Sequence, residues 1–358
     1  MKSKVYFLEI KSQNRLPELL EKVNPQEIIK ENDYTAIKIH FGEKGNQGYV
    51  KPQFVKPIVE KIKSLNACPF ITDANTIYTG TRSDAVHHLQ VAYEHRFTEE
   101  YLGCPVIIAD GLRGNSYVEV EINLNHFKKV KIANAIHYAD SIVFVTHFKG
   151  HEVSGFGGTL KNMGMGCGAR PGKYEMHHSI VPEIVIEKCN ACGLCVKWCP
   201  SSALSLSPIN QLTNSPINRS TIHLDSTKCT GCGECILVCR HGAIKLPWND
   251  PVKMCQEKIV EYACGAVKNK SYFCINFLNY ITKYCDCYGR KEEPLLPDIG
   301  ILASSDPVAI DQASADMVNQ KFGSDFFRYI FPEIDWEIQL TYAEKIALGR
   351  REYQLIKI

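Results

Sequence analysis

The sequence predicts an α/β fold whose mixed, largely parallel sheet is interrupted by a small cysteine-rich insertion. Short β-branched runs alternate with helical patterns over residues 1–165, and the alternation resumes after residue 248. Between these parts lies a segment whose cysteines recur at short, regular steps. Strands that alternate with helices are typical of a parallel sheet. We therefore expect a discontinuous α/β domain at 1–180 and 248–358 around an inserted domain at 181–247.

Each element of the α/β domain is predicted from its local pattern. Apolar or β-branched runs predict strands at residues 5–10, 35–40, 70–73, 106–110, 141–147 and 271–277. Apolar residues at helical spacing predict helices at 54–65, 253–267 and 309–319. Asp306 stands before Pro307, and this pair suits the N-cap and first position of a helix. We therefore expect Asp306 to cap the last of these helices.

Three of the predicted strands end in polar residues, namely His40, Asp73 and His147. Because the carboxyl ends of parallel strands meet at one edge of a sheet, where ligands gather, we expect these side chains to share a site. Arg82 follows Asp73 at a short distance along the chain. Its guanidinium matches carboxylate and phosphate groups, so it is a candidate for binding an anionic group on a ligand.

Bulk composition restricts the functional class. The 358 residues carry a net charge of +2, with 45% hydrophobic and 22% charged residues, so nothing favours nucleic acid as the partner. We find no apolar stretch long enough for a signal peptide or a membrane span, and we expect no membrane partner. Sixteen cysteines without an export signal favour metal binding over disulfides. The expected location is a reducing, anaerobic cytoplasm, and the expected partner is a small-molecule substrate.

Two cysteine runs carry the strongest signal. They read Cys189-x-x-Cys192-x-x-Cys195-x-x-x-Cys199 and Cys229-x-x-Cys232-x-x-Cys235-x-x-x-Cys239. This spacing is typical of two [4Fe–4S] clusters, in which three cysteines of a run bind one cluster and the fourth crosses to the other. Cys239 is therefore expected to complete the first cluster and Cys199 the second. The alternative is a pair of structural zinc sites, which usually combine one C-x-x-C with a distant C-x-x-C.

We interpret the insertion as an α+β, ferredoxin-like two-cluster domain. It resembles the two-cluster bacterial ferredoxins, although Arg240 stands where a second proline would follow the last cysteine. The two runs are joined by a low-complexity link in which Ser207-Pro-Ile-Asn recurs as Ser215-Pro-Ile-Asn. We expect this link to form an elongated surface hairpin without a binding role.

A glycine-rich stretch precedes the insertion. Six glycines lie between residues 155 and 168, a density that disfavours a helix or strand and suits backbone that approaches a ligand or an anion. The spacing fits neither a Walker A loop nor G-x-G-x-x-G. The candidates for catalysis are His147, Lys149, His151 and Lys161, and the candidates for cofactor binding are Gly155, Gly157, Gly158, Asn162, Arg82, Asp73 and His40. The alternative is a glycine-rich packing turn beside histidines that are already hydrogen-bonded.

A second group of candidates is Cys285-Asp286-Cys287, with Cys274 upstream. A C-x-C pair can chelate one metal ion or hold two reactive thiols, and buried, inert cysteines are the alternative. Cys167 is a further partner for this pair if the glycine stretch folds over it. Cys68 and Cys104 stand in apolar surroundings, so we expect both in the core.

These residues together resemble the family known as domain of unknown function 362. The resemblance rests on Lys38-Ile-His40-Phe-Gly-Glu43-Lys-Gly-Asn46, Thr146-His147-Phe-Lys149-Gly-His151, Gly157-Gly158-Thr-Leu-Lys161-Asn162, Cys285-Asp-Cys287 and Asp306-Pro-Val-Ala-Ile-Asp311. It spans nearly the whole chain on both sides of the insertion. It implies an architecture more than an activity.

A shorter segment, His151-x-x-Ser154-Gly155-Phe156-x-Gly158-x-x-Lys161, is similar to a motif of the nickel-pincer lactate racemases. The resemblance implies that His151 moves a proton, that Lys161 anchors the pincer cofactor, and that His177 is the candidate nickel ligand. The doubled glycine of that motif is displaced by one position here, and the racemases carry no ferredoxin insertion. The segment therefore indicates a cofactor pocket, for a flavin or a nickel-based group, without fixing the reaction.

Three functions fit the sequence. In the first, an oxidoreductase, a soluble donor such as ferredoxin feeds the clusters, and these pass electrons to a substrate site in the α/β domain. The glycine stretch ends at Gly168, close in the chain to the first cluster cysteine, Cys189. In the second, the clusters are structural and the site is that of a non-redox, nickel-pincer isomerase or racemase. In the third, the chain is an electron carrier or assembly protein without catalysis, which leaves the polar residues of 147–161 unexplained.

Overall fold

The computed structural model describes residues 2–78, 80–177, 182–199, 201–208, 220–229, 234–245 and 252–358. Its strands are β1 (Ser3–Glu9), β2 (Tyr34–Lys38), β3 (Cys68–Asp73), β4 (Val106–Ile108), β5 (Tyr117–Glu121), β6 (Lys129–Ala133), β7 (Ser141–His147), β8 (Lys149–His151), β9 (Gly155–Gly157), β10 (Glu183–Ile184), β11 (Leu204–Pro208), β12 (Ser220–Leu224), β13 (Ile244–Lys245), β14 (Ser271–Leu278), β15 (Gly300–Ser304) and β16 (Tyr353–Lys357). Its α-helices are α1 (Leu16–Lys22), α2 (Pro25–Ile28), α3 (Pro52–Ser64), α4 (Ala85–Glu94), α5 (Glu99–Leu102), α6 (Asn134–Tyr138), α7 (Thr159–Cys167), α8 (Arg170–His177), α9 (Leu194–Lys197), α10 (Glu234–Val238), α11 (Val252–Ala266), α12 (Pro307–Phe322), α13 (Phe326–Ile330) and α14 (Glu337–Lys345).

Eight of these strands form the central sheet, in the order β16–β1–β15–β14–β7–β2–β3–β4. β15 runs antiparallel to both of its neighbours, whereas the other adjacent pairs are parallel. The predicted α/β fold with a mixed, largely parallel sheet is therefore confirmed. The chain runs outward through β2, β3 and β4 and then returns to β7 on the other side of β2. This reversal opens a crevice at the carboxyl ends of β2 and β7, where α/β sheets hold their ligands.

Helices cover both faces of this sheet. On one face, α3 packs Val55, Ile58, Val59 and Ile62 into a hydrophobic core, because these residues recur at helical spacing on one side of the helix. On the other face, α7, α11 and α12 form a second core. Within the ranges described above, no helix combines the length and the apolar content that a bilayer crossing requires.

The predicted elements of the α/β domain are all present, with ends displaced by a few residues. The cap of α12 forms as expected, because Oδ1 of Asp306 accepts hydrogen bonds from the backbone N–H groups of Val308 and Ala309 at 2.9 and 3.0 Å. Cys104 is in the core as predicted. Cys68 is exposed because it is the first residue of β3, at the edge of the buried part of the strand, so the prediction for Cys68 is wrong.

The glycine-rich stretch is more regular than its composition predicts. Gly155–Gly157 forms β9, and residues 159–167 form α7 rather than an irregular loop, so that expectation is wrong for both segments. The reason is close packing of helices, because a Cβ on Gly164 would lie 2.0 Å from the carbonyl oxygen of Ile259 in α11. Gly166 leaves similar room for the Nζ of Lys38. α7 contains these glycines because atoms of α11 and of Lys38 at the end of β2 occupy the positions that side chains would fill.

The insertion has its own small core. Two antiparallel pairs, β10 with β13 and β11 with β12, lie beside the short helices α9 and α10. Their buried residues are Cys189, Cys195, Leu204, Ile222, Cys235, Ile236, Ala243 and Ile244. β11 and β12 pair from Leu204 opposite Leu224 to Pro208 opposite Ser220. They form the base of the expected hairpin, and its remaining part, 209–219, lies outside the described residues.

Candidate functional site

A cavity of about 700 Å³ lies at the carboxyl ends of β2, β3 and β7. α7, α8 and the segment after β14 complete its wall. The expected gathering of polar strand ends at one edge of the sheet is therefore observed. The predicted site residues that line the cavity are His40, Asp73, Arg82, His147, Lys149, His151, Gly157, Gly158, Lys161, Asn162, His177, Cys285 and Cys287.

Gly155 is the predicted cofactor-binding residue that does not line the cavity. Its φ is +72°, and a Cβ there would lie 2.3 Å from the Cβ of Trp336. The glycine is therefore required for the close packing of β9 on Trp336. This contact explains its place in the motif without any ligand.

The wall formed by β2 and β3 is a network of buried ion pairs. Nζ of Lys38 lies 2.9 Å from Asp73, and Arg82 lies 3.5 Å from Asp73 and 3.2 Å from Glu43. Burial alone would raise the pKa of Asp73, but Lys38 holds it well below its usual range. The Nη2 of Arg82 donates to the hydroxyl of Tyr78 at 3.0 Å. Arg82 is thus already paired, which suits a role in shaping the wall.

His147, Lys149 and Asp286 form a second buried group. Nδ1 of His147 lies 2.9 Å from Asp286, and its Nε2 lies 2.9 Å from the carbonyl oxygen of Asn279. Nζ of Lys149 lies 3.2 Å from Asp286. Burial would raise the pKa of Asp286, but His147 and Lys149 lower it far more, so the carboxylate is charged. Both ring nitrogens of His147 are engaged, so its geometry favours anchoring Asp286 over exchanging protons with a substrate.

Cys285 presents a thiolate to the cavity. Its Sγ lies 3.9 Å from Nζ of Lys161, and the side chain is only 4% exposed. A hydrogen bond from Cys287 lowers the pKa of Cys285 well below its usual range, and Lys161, His151 and Lys149 add to this effect against the opposing effect of burial. Burial opposes the charge on Lys161, but Cys285 and Cys287 raise its pKa. The contact between Lys161 and Cys285 therefore favours the charged form of both groups.

His151 is oriented by its own loop. Its Nδ1 accepts hydrogen bonds from the backbone N–H groups of Val153 and Ser154 at 3.1 and 3.3 Å. An imidazole that accepts at Nδ1 carries its proton on Nε2. That nitrogen lies 4.0 Å from the carboxylate of Glu152, at the cavity wall. The geometry suits a general acid that donates from Nε2.

Lys173 is a charged cavity residue that no sequence motif indicated. It lines the cavity, is 6% exposed, and donates to the carbonyl oxygen of Gly168 at 2.5 Å. Burial lowers the pKa of Lys173 to about 8, although Asp110 opposes the shift. Lys173 follows Arg170-Pro-Gly, which matches no catalytic motif, so only the fold identifies it.

Helix α8 connects the cavity to the insertion. Lys173 and His177 line the cavity, and Nδ1 of His177 lies 3.6 Å from the Sγ of Cys255. Tyr174, between them in sequence, is buried in the core of the insertion with Cys189 and Cys195. One short helix therefore contacts both candidate sites.

The first predicted set of cluster ligands surrounds one small cavity in the insertion. Its wall includes Cys189, Cys192, Cys195 and Cys239, so the crossing cysteine of the second run lies beside the first run. Of the second set, Cys199, Cys229 and Cys235 are described, and Cys232 lies outside the described residues.

Backbone amides point at the sulfurs in a repeated way. The N–H of Ala203 lies 3.2 Å from the Sγ of Cys199, and the N–H of Ala243 lies 3.3 Å from the Sγ of Cys239. Such hydrogen bonds suit thiolates that bind iron. In the part of the chain that is described, no three His, Cys, Asp or Glu side chains converge on one metal ion. Cluster ligands bind different irons of a cube and therefore need not converge in this way.

Residues 35–316 match the family described as Domain of unknown function (DUF362). The chain belongs to this family. The resemblance predicted from its motifs is thereby confirmed, and the match includes every cavity residue discussed above. No curated protein matches the sequence.

Two solved structures are similar to this DUF362 chain. One is the lactate racemase apoprotein from Thermoanaerobacterium thermosaccharolyticum, at 12% identity with a TM-score of 0.40. The other is a structural genomics target from Thermotoga maritima, at 11% identity with a TM-score of 0.39. The matches cover 90% and 87% of this chain but only 58% and 59% of those chains.

Proposed function

We propose that this chain is an iron–sulfur oxidoreductase that carries two [4Fe–4S] clusters and reduces or oxidises a small molecule in the 700 Å³ cavity. A soluble one-electron donor such as ferredoxin would supply electrons to the clusters of the insertion. The observation that supports this most is α8, which lines the cavity through Lys173 and His177 and packs Tyr174 beside two cluster cysteines. A direct physical connection of this kind suits electron transfer between the two sites.

The residues fit the first cluster. Four thiols, Cys189, Cys192, Cys195 and Cys239, surround one cavity in the crossed arrangement that the spacing predicts. The two crossing cysteines, Cys199 and Cys239, each lie beside the N–H of the fourth residue after them, which supports two equivalent cluster sites. Such clusters, when bound, would accept and release single electrons.

The cavity wall favours an anionic substrate. Most of its cations are already paired, as Lys38 is with Asp73 and Lys149 is with Asp286. Lys173 donates to the carbonyl oxygen of Gly168, and among the residues that the structure describes no carboxylate forms a salt bridge with it, although Asp110 and Asp73 raise its pKa from farther away. A carboxylate or phosphate group on the substrate would supply the negative charge that pairs with Lys173.

The proton chemistry would fall to two residues of the wall. His151 carries a proton on Nε2 and is placed to donate it. Lys173 has a pKa of about 8, so it exchanges a proton near neutral pH far more readily than an exposed lysine. A reduction that adds electrons and a proton could use either group as the donor.

The second candidate is a non-redox isomerase or racemase with a nickel-pincer group and structural clusters. One observation favours it, namely that His151, Lys161 and His177, the three residues of that resemblance, line the same cavity. Lys161, however, faces the Cys285 thiolate at 3.9 Å, which gives its ammonium group another role. The third candidate, an electron carrier without catalysis, offers no use for the cavity.

Reoxidation of reduced clusters tests the proposal. The full chain is reduced anaerobically with reduced ferredoxin, and the cluster absorbance is followed after a panel of organic carboxylates and phosphates is added one at a time. We expect at least one anion to reoxidise the clusters quickly, and His151→Ala to abolish this while its iron content is unchanged. His87→Ala, at an exposed histidine of α4, is the control. Reoxidation by no anion, or equal rates in His151→Ala, would contradict the proposal.

A further inference from the structure

Cys285, Asp286 and Cys287 form a tightly held turn at the cavity wall. The N–H of Tyr288 donates to the carbonyl oxygen of Cys285 at 3.1 Å, which closes a β-turn around the two residues between them. The carboxylate of Asp286 is buried against His147 and Lys149. The middle residue therefore anchors the turn from behind and leaves the two thiols on the cavity side.

The two sulfurs are close enough to interact with each other. Both cysteines line the cavity, and the interaction between their thiols lowers the pKa of Cys285 and raises the pKa of Cys287. The turn holds the two cysteines one residue apart with both at the same cavity wall, which is the arrangement that a bond between their sulfurs requires. A disulfide across one intervening residue restricts the unfolded chain very little. Such a bond would add little stability, so a structural role does not explain the pair.

The charges around the two cysteines favour a reactive thiol pair over a metal site. Lys161 lies 3.9 Å from the Sγ of Cys285, and the ammonium group of Lys149 is next to the turn. Two fixed cations repel a metal ion, but they stabilise a thiolate. Asp286, the nearest carboxylate in sequence, is fully engaged with His147 and Lys149 and is not available as a ligand.

We propose that Cys285 and Cys287 are a reversible dithiol–disulfide couple, in which Cys285 is the attacking thiolate and Lys161 the cation that holds its charge. On oxidation, the Cys285 thiolate and the Cys287 thiol form one S–S bond, and two electrons and the Cys287 proton leave. On reduction, two electrons break that bond, Cys287 regains a proton, and Cys285 returns as a thiolate beside Lys161. The electron source rests on the proposed function: each of the two clusters would deliver one electron.

This couple would convert single electrons into a pair. A [4Fe–4S] cluster exchanges one electron at a time, whereas most organic substrates are reduced by two. Clusters held by the two cysteine runs would supply single electrons, and the disulfide of Cys285 and Cys287 would store two of them at the cavity wall. The substrate class that fits is therefore an anionic two-electron acceptor, including a small disulfide.

Thiol trapping in redox buffers tests the couple. The full chain, with its clusters, is equilibrated anaerobically with defined ratios of glutathione to glutathione disulfide, quenched in acid, and alkylated. Mass spectrometry then measures the peptide that contains both cysteines. We expect it to lose two hydrogens as the buffer becomes oxidising and to regain them when the buffer is reversed. Cys68→Ser, at an exposed cysteine outside the cavity, should behave like the wild type.

Two single variants assign the roles of the thiols. In Cys287→Ser, Cys285 should form a mixed disulfide with glutathione, roughly tenfold faster than Cys287 does in Cys285→Ser, because a thiolate attacks and a thiol does not. Equal rates would overturn the assignment of Cys285. Absence of the disulfide at every ratio, or one bound metal ion per chain that protects both thiols, would overturn the couple.

A final experiment distinguishes failure of the dithiol–disulfide couple from failure of the proposed function. The oxidised chain is treated with reduced ferredoxin, and the two thiols are counted again. Recovery of two thiols per chain supports both the couple and its supply by the clusters. A disulfide that glutathione reduces but reduced ferredoxin does not would keep the couple and reject the electron route.

Discussion

Replacement of Lys173 by methionine should stabilise the fold at neutral pH while it weakens binding of an anionic ligand. Burial lowers the pKa of Lys173 from 10.5 to about 8. This difference corresponds to roughly 3 kcal/mol of unfavourable free energy for the charged, folded form. Methionine removes that cost but also removes the hydrogen bond to Gly168, which contributes about 1 kcal/mol. The expected net gain is about 2 kcal/mol at pH 7.

The pH dependence gives the sign of this effect. Because the folded pKa of Lys173 is depressed, the unfolded chain binds more protons between about pH 8 and pH 10.5, and the stability of the wild type rises with pH in that window. Below pH 8 the destabilisation is fully present. The advantage of Lys173→Met should therefore be greatest at pH 7 and smaller by about 1 kcal/mol at pH 9.

The measurement is the apparent midpoint of thermal unfolding, at one scan rate and under argon, at pH 7 and pH 9. For a chain of this length, about 2 kcal/mol corresponds to a few degrees. Lys253→Met, at a lysine of α11 whose side chain is 70% exposed, is the control and should shift the midpoint little. A lower midpoint for Lys173→Met at pH 7, or a gain that is the same at both pH values, would show that the buried charge of Lys173 does not destabilise the fold.

Three further predictions concern packing, the anchored turn and the clusters. Gly164→Ala places a methyl group 2.0 Å from the carbonyl oxygen of Ile259, so the unfolding midpoint should fall by the equivalent of about 3 kcal/mol, and an unchanged midpoint would count against the close packing. Asp286→Asn leaves His147 beside a neutral partner and should lower the free energy of unfolding by about 3–5 kcal/mol. An unfolding midpoint equal to that of the wild type would mean that this buried ion pair does not stabilise the fold. Cys239→Ser should remove the first cluster and about half of the iron, and electron paramagnetic resonance that instead shows loss of the second cluster would contradict the crossed ligation.

The parts of the fold that the sequence predicts are those set by local chemistry. Apolar and β-branched runs located the strands of the sheet, and Asp306 before Pro307 located the start of α12, because the residue pattern of a strand and the cap of a helix are both set by neighbouring residues. Polar residues at strand ends located the cavity, since parallel strands place those ends at one edge.

The parts that it does not predict depend on contacts between distant residues. α7 keeps Gly164 because α11, far along the chain, needs the space, and glycine content alone pointed to a loop. The engagement of His147 with Asp286 is equally long-range, and it distinguishes this anchoring histidine from His151, whose ring is oriented by backbone N–H groups of its own loop. Lys173 carries no local motif, and only its burial at the cavity wall identifies it.

The central claim, that the insertion holds two [4Fe–4S] clusters, is tested most directly by metal and sulfide analysis of anaerobically purified protein. Iron, nickel, zinc and acid-labile sulfide are measured per chain, with an absorption spectrum and electron paramagnetic resonance of the reduced state. We expect about eight iron and eight sulfide per chain and a reduced-state signal from two interacting cubanes. Zinc in place of iron, or iron without sulfide, would contradict it.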